Sequence, residues 1–194
     1  MCIRDRAVGP RQFGVETPGG TEALSHAAQV EAGRRPQAAF VALDLRNAFG
    51  SLDRDTVLAA VQEHAPGLLP YARLFLGRRS AYRYLGSNGA GEPLYADQGV
   101  DQGDPLAPAF LAVTIREPLE RLEDRLRDLA EEQGFSPEAA ADAVRVRAYL
   151  DDVLVRVPAS LAARVPDEAA AALQTVGGSL DPVSYTHLTL PTKA

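Results

Sequence analysis

The sequence predicts an α+β fold in which antiparallel strands carry helices on one face. The run "AAFVALDL" is short and almost continuously apolar, as a strand covered on both faces is. Val144, Val146 and Ala148 alternate with Arg145, Arg147 and Tyr149, and Val153, Val155 and Val157 alternate with Leu154 and Arg156, which reads as a β-hairpin. Between these runs lie segments of helical spacing.

The chain opens with "MCIRDR" and ends with "VSYTHLTLPTKA", and both resemble translated sequencing-adapter segments. The second holds Lys193, the only Lys in a chain whose other basic residues are all Arg. Residues 1–6 and 183–194 are therefore set outside the expected fold, leaving one domain over 7–182. A Gly/Pro-rich loop, "VGPRQFGVETPGG", precedes "TEALSHAAQVEAG", expected as a helix capped by Thr21 and stopped at Gly33. The apolar strand follows, with Asp44 at its end. "SLDRDTVLAAVQEHAPG" reads as a helix capped by Ser51, and "LLPYARLFLG" as a second, shorter one. "AYRYLG" and "EPLYADQG" form a predicted hairpin around Asn88-Gly89, the strongest turn signal present. One long helix is expected from "DPLAPAFLAV" through "LRDLAEEQG", with Asp104 as cap and Pro105 in its first position. Ser136-Pro137 start a short helix, and "PDEAAAALQTVGG" forms the last.

With 194 residues, 46% hydrophobic and 24% charged, the composition is that of an ordinary soluble globular domain. No run approaches a membrane span, and no leader pattern is visible, so a soluble, intracellular protein without membrane partners is expected. One Cys and three His leave no Cys/His cluster for zinc, so any metal is expected on oxygen. A net charge of −6 argues against a simple basic-surface nucleic-acid binder. Part of that charge is local, since acids crowd "LERLEDRLRDLAEEQG" while Arg73, Arg78, Arg79 and Arg83 form a basic stretch able to track a phosphate backbone or to serve as a solvated loop.

The adjacent Asp151 and Asp152 interrupt the second alternating pattern in "AYLDDVLV". A solvated turn is the plain explanation, but this tip lacks the Gly that two-residue hairpin loops use to reach positive φ. Two carboxylates a few Å apart repel by about 1 kcal/mol in water and more at a drier site, so they are best tolerated around a cation. Asp44 and the Asp151–Asp152 pair alone lie directly at ends of apolar strands, where a sheet can hold them. Carboxylates converging from separate strands are what two-metal phosphoryl transfer requires, with Mg²⁺ suited to oxygen ligands, water and substrate phosphate.

These residues carry a family resemblance. "ALDLRNAF" resembles the Asp-x-x-x-Ala-Phe motif of reverse transcriptases, "GVDQGDPLAP" their Gln-Gly-Asp-Pro-Leu-Ser-Pro motif, and "YLDD" their Tyr-x-Asp-Asp hairpin. Upstream, "QFGVETPGGTEALSHA" is similar to the Gln-Phe-Gly stretch of non-LTR retrotransposon and group II intron enzymes. The resemblance implies a polymerase palm with part of the fingers, an RNA or DNA template with primer, a dNTP, and two Mg²⁺ that Mn²⁺ can replace. It implies Asp44 and Asp151 as metal ligands, Asp152 as their catalytic neighbour, and the Leu45 carbonyl facing the triphosphate-bound metal. Phe49 is implied beneath the nucleotide sugar, Gln102 and Gly103 against nucleotide and template, and Tyr149 near the primer end. Read without the family, Phe49 is a core ring, Gln102-Gly103 a helix-entry turn and Tyr149 an ordinary strand aromatic.

Three departures stand out. Ala107 replaces a Ser, Gly50 follows Phe49 where a polar residue is frequent and is expected to loosen the exit from that motif, and the basic fingers residues, a Lys-bearing segment after the hairpin and the thumb are expected to be missing. Two alternatives remain: an RNA-dependent RNA polymerase palm, which typically presents Gly-Asp-Asp, and a catalytically silent nucleic-acid-binding relic. The parent element, oligomeric state and compartment are open, a nuclear location following if the parent is a eukaryotic retrotransposon.

Overall fold

Alternating apolar residues at 39, 41 and 43 bury one face of the central strand, and the same period in the hairpin supplies its partner. In the computed structural model, which describes residues 7–85, 91–181 and, by backbone alone, 186–189, these runs become β1 (Ala38–Asp44), β4 (Arg145–Tyr149) and β5 (Asp152–Pro158). The remaining elements are helices α1 (Gly20–Arg34), α2 (Ala48–Ser51), α3 (Arg54–His64), α4 (Leu69–Leu76), α5 (Ala107–Thr114), α6 (Arg116–Glu132), α7 (Pro137–Ala143) and α8 (Val165–Gln174), and strands β2 (Ser80–Leu85), β3 (Gly91–Ala96) and β6 (Thr186–Thr189). The larger sheet has the order β4-β5-β1-β6, antiparallel throughout, and β2 pairs with β3 as a separate hairpin.

Val41, Leu43, Val146, Ala148, Val153 and Val155 share the core face, buried with Leu119, Leu122 and Leu126 of α6 and Leu173 of α8. The opposite face carries Asp44 and Asp152 at one end and Arg147 and Arg156 at the other, by the two-residue period. Arg156 is only 2% exposed, so this face is closed at its far end by an ion pair. Glu31 of α1 accepts from Arg147 at 2.6 and 2.9 Å and lies 2.9 Å from Arg156, whose guanidinium also donates to the carbonyls of Ala143 and Asp142.

Several local expectations are corrected. Thr21 and Gly33 lie inside α1, whose N-cap is Gly19. Asp53, not Ser51, caps α3, its Oδ1 accepting from the Thr56 N–H at 2.8 Å, while Ser51 Oγ is buried without a partner. The expected long helix is two, α5 and α6, broken at Ile115. Pro118 has no N–H to reach the Thr114 carbonyl, and its ring would clash there, so a continuous helix is excluded. Asp104 closes a turn onto Leu106 N–H at 2.8 Å, but α5 begins at Ala107, so Pro105 precedes the helix. The Asn88-Gly89 turn lies outside the described residues. Residues 186–189, expected outside the fold, pair with 39–42 of β1. Such pairing needs only backbone groups at an open edge and says nothing of the segment's origin.

The Glu31 ion pair generates a prediction. Hydrogen bonding from Arg147, aided by the charges of Arg147, Arg156 and Arg35 and opposed by burial, holds the Glu31 carboxyl below its ordinary range. A depressed folded value means the stabilisation is complete above the unfolded carboxyl's pKa, about 4.3, and disappears as pH falls through the folded value. Glu31→Gln should cost about 2 kcal/mol at pH 7, less than the about 3–5 for breaking a fully buried pair, because Arg156 keeps its carbonyl partners. Thermal melts from pH 7 to 3 should show a smaller acid loss in the variant than in the parent chain, and parallel curves would contradict the assignment.

Candidate active site

Asp44 is the last residue of β1 and Asp152 the first of β5, and the two are direct partners in the antiparallel register. Side chains so paired share a face with Cβ atoms about 5 Å apart. Tyr149 is the partner of Asp152 on β4, so Leu150 and Asp151 form a two-residue loop. Asp151 thus sits at the tip beside the Asp44–Asp152 pair. The positive φ that such a loop needs is taken by Leu150, at 55°, rather than by a glycine.

Beyond Asp44 the chain pairs with residues 179–181: Arg46 N–H donates to the Ser179 carbonyl at 2.9 Å, and Asp181 N–H to the Asp44 carbonyl at 3.0 Å. These bonds flank the Leu45–Leu180 bridge without using the Leu45 carbonyl, which in this geometry points away from 179–181, to the side of β1 where β5 lies. Phe49, on the turn of α2, is partly buried against the core. Its carbonyl accepts from Val100 N–H at 2.7 Å, and Gly99 N–H donates to Leu52 O at 2.8 Å. Gly99 has φ 76°, and a Cβ there would lie 2.5 Å from the Gly50 carbonyl oxygen, so only glycine permits this approach. Gly50 therefore belongs to a packed junction, contrary to the expected loosening of the motif.

This junction brings the loop bearing Gln102 and Gly103 to the Phe49 turn. Both residues are exposed, and the Tyr82 hydroxyl of β2 hydrogen-bonds the neighbouring Asp101 carboxylate. Arg78, Arg79 and Arg83 are also exposed, but they belong to the β2–β3 hairpin and the segment leading into it, with Arg79 over the Tyr95 ring at 4.1 Å. The structure thus gathers Asp44, Asp151, Asp152, Leu45 and Tyr149 around the end of the sheet, sets Phe49 with the Gln102-Gly103 loop, and gives the arginines no contact with the carboxylates.

Desolvation at the sheet end, then repulsion from Asp151 and Asp44, pushes the Asp152 carboxyl above its ordinary range. Asp152 is itself exposed, so solvent screening keeps the repulsion modest. Oxygen donors gathered at one end of the sheet fit a hard divalent cation such as Mg²⁺. Among the described residues the group of three His, Cys, Asp or Glu side chains with ligand atoms within 4.8 Å of one another is Glu63, His64 and Glu117, a set with one nitrogen donor, whereas the three aspartates are not drawn together that closely. His64 Nε2 is 3.4 Å from Glu117 Oε1, a contact between α3 and α6.

Two positions had no role in the sequence reading. Arg54, 5% exposed, donates to the carbonyls of Gly99 and Arg78 and to Ser80 Oγ at 2.9–3.0 Å, tying the Gln-Gly loop to the base of the β2–β3 hairpin. Its position at the start of a helix gave no sign of burial. Gln12 lies buried against the Leu150 loop. Its signal was the Gln-Phe-Gly stretch, which named a family but no contact.

Comparison with known proteins places this geometry. The chain matches the family model described as reverse transcriptase (RNA-dependent DNA polymerase) over residues 2–179. No curated protein sequence matches it. Among solved structures it is similar to apo telomerase from Candida tropicalis, with TM-score 0.65, 9% identity, 96% of this chain and 34% of that chain covered. It is also similar to telomerase from Candida albicans in complex with a TWJ fragment of telomeric RNA, with TM-score 0.64, 12% identity, and 96% and 33% covered. The chain spans about a third of the length of those telomerase chains, and at such identity the likeness is one of fold. The family match runs through the strand bearing Asp44, the Gln-Gly loop and the aspartate hairpin alike: the chain belongs to the reverse transcriptase family.

Proposed function

We propose that this chain carries the catalytic centre of an RNA-directed DNA polymerase, which joins a deoxynucleoside triphosphate to a primer 3′-hydroxyl opposite a template. The observation that carries the reading is the in-register pairing of Asp44 with Asp152, with Asp151 adjoining. Asp44, Asp151 and the Leu45 carbonyl would hold two divalent cations, with Asp152 beside them. Mg²⁺ or Mn²⁺, if held there, would supply positive charge to acidify the attacking hydroxyl and offset the charge of the leaving phosphate.

The chain's own groups then position the reactants. Tyr149, opposite Asp152 on β4, would meet the primer end beside the carboxylates. Phe49 would lie under the sugar, and Gln102 and Gly103 would contact nucleotide and template from the loop joined to Phe49 through Val100. Arg78, Arg79 and Arg83 would meet nucleic-acid backbone, an assignment supported by their exposure and charge. The Candida albicans telomerase was solved in complex with a TWJ fragment of telomeric RNA, which is in keeping with a nucleic-acid partner for this chain. The Gln-Phe-Gly stretch favours a parent of non-LTR retrotransposon or group II intron type. Among the described residues no helix is long and apolar enough to cross a membrane.

Mn²⁺ titration of this chain tests the site without requiring turnover. The parent chain should bind, and Asp44→Asn or Asp151→Asn should each weaken binding by about tenfold or more. Metal-free Asp44→Asn should melt about 1–3 °C higher at pH 7, since a like charge is removed from the cluster. Unchanged affinity in both variants would remove these residues from the site.

Sugar choice gives a second test, in a polymerisation-competent fusion of this chain with complementary segments of a family member. A ring at Phe49 would leave a ribose 2′-hydroxyl unpaired, costing about 1–3 kcal/mol. Phe49→Val should raise ribonucleotide relative to deoxynucleotide incorporation by about tenfold. A lower melting temperature with an unchanged ratio would make Phe49 a core residue only.

A further inference from the structure

The loop that carries Asp151 is held from outside itself. Leu150 has φ 55°, a left-handed conformation that is unfavourable for a bulky side chain and that glycine would adopt freely. Gln12 contacts the backbone at this residue. The Gln12 side chain is inside the protein, the residue being 3% exposed, and its Oε1 accepts from the Leu150 N–H at 2.7 Å and the Gly14 N–H at 2.9 Å. Its Nε2 lies 3.4 Å from the Leu150 carbonyl as a donor. One amide thus spans both backbone polar groups of the residue preceding Asp151.

Gln12 is itself fixed on three sides. Ala148 N–H donates to the Arg11 carbonyl at 2.8 Å and Phe13 N–H to the Ala148 carbonyl at 2.7 Å, which bridges residue 12 parallel to β4. Arg11 Nε lies 2.6 Å from Glu123 of α6, a carboxylate otherwise enclosed by Arg127 and Arg145. Gly14 completes the enclosure, because a Cβ there would stand 2.7 Å from both Leu150 N and Leu150 Cγ. The line of contacts therefore runs from α6 through Arg11 and Gln12 to the tip of the hairpin.

We propose that Gln12 is a positioning residue: by clamping Leu150 in its left-handed conformation it fixes the direction in which Asp151 and Asp152 project. A merely structural glutamine could be satisfied by any buried donor, but this one accepts from the N–H of Leu150, in the loop that carries Asp151. With glycine at position 150 the conformation would need no partner, so leucine makes the loop dependent on Gln12. What the carboxylates hold rests on the function proposed above; the clamp itself does not.

The test uses this chain, Mn²⁺ as probe, and amide hydrogen exchange at Leu150. Gln12→Met, nearly isosteric but without the acceptor, should lose Leu150 protection and weaken Mn²⁺ binding by about tenfold or more. Gln12→Glu, which keeps the acceptor, should retain Leu150 protection. A Gln12→Met chain that keeps that protection, or loses it while binding Mn²⁺ within twofold of the parent, would overturn the proposal. If Gln12→Met does not fold, Gln12→Met with Leu150→Gly should fold, since glycine takes the left-handed conformation without a clamp, and should bind Mn²⁺ weakly, since glycine does not hold the loop in that one conformation; failure of the double variant to fold, or parent-like binding by it, would overturn the proposal equally. A parent chain that binds no Mn²⁺ would refute the proposed function, leaving amide protection and the Leu150→Gly rescue to decide the clamp by themselves.

Discussion

Everything at the candidate centre depends on the register between β1 and β5. Because side chains alternate faces, a slip of one residue would turn Asp44 toward the core and one of the valines toward solvent, so the apolar pattern that buries Val41, Leu43, Val153 and Val155 also opposes Asp44 to Asp152. The core thereby sets the geometry of a site it does not contain. The same register puts Arg147 and Arg156 on the carboxylate face, where Glu31 closes its far end. One face of the sheet is thus an ion pair at one end and an uncompensated acidic cluster at the other.

That asymmetry is what the proposed function would require. Three carboxylates gather where two strands meet, and burial, then the charges of Asp151 and Asp44, raise the proton affinity of Asp152. A sequence selected for stability alone would put a turn glycine at 150 and neutral residues around it. Here a leucine holds positive φ under the constraint of Gln12, and Gly99 yields to the Gly50 backbone so that the Gln-Gly loop meets the Phe49 turn. Local rules are broken at the centre and obeyed in the core.

Much of this was legible in the chain. The alternation on either side of Asp151-Asp152 gave the hairpin, the continuous apolar run gave β1, and the aspartates at strand ends gave the carboxylate cluster. What escaped was set by contacts distant in sequence. Gln12 meets a residue 138 positions away, and Arg156 looked like an outward strand residue until Glu31 of α1 covered it. The break at Ile115 was readable in principle, since Pro118 denies the Thr114 carbonyl its partner, but the apolar run before it and the amphipathic pattern after it hid it. Choosing Asp53 over Ser51 as a cap turned on the short helix before it, which spacing alone does not reveal.

The central claim is that Asp44 and the hairpin tip form one cation site. Anomalous scattering from Mn²⁺-soaked crystals of the chain tests it most directly. The account predicts manganese within coordination distance of carboxylate oxygens from both Asp44 and Asp151; manganese found only at Glu63, His64 and Glu117, with none at the end of the sheet, would contradict it.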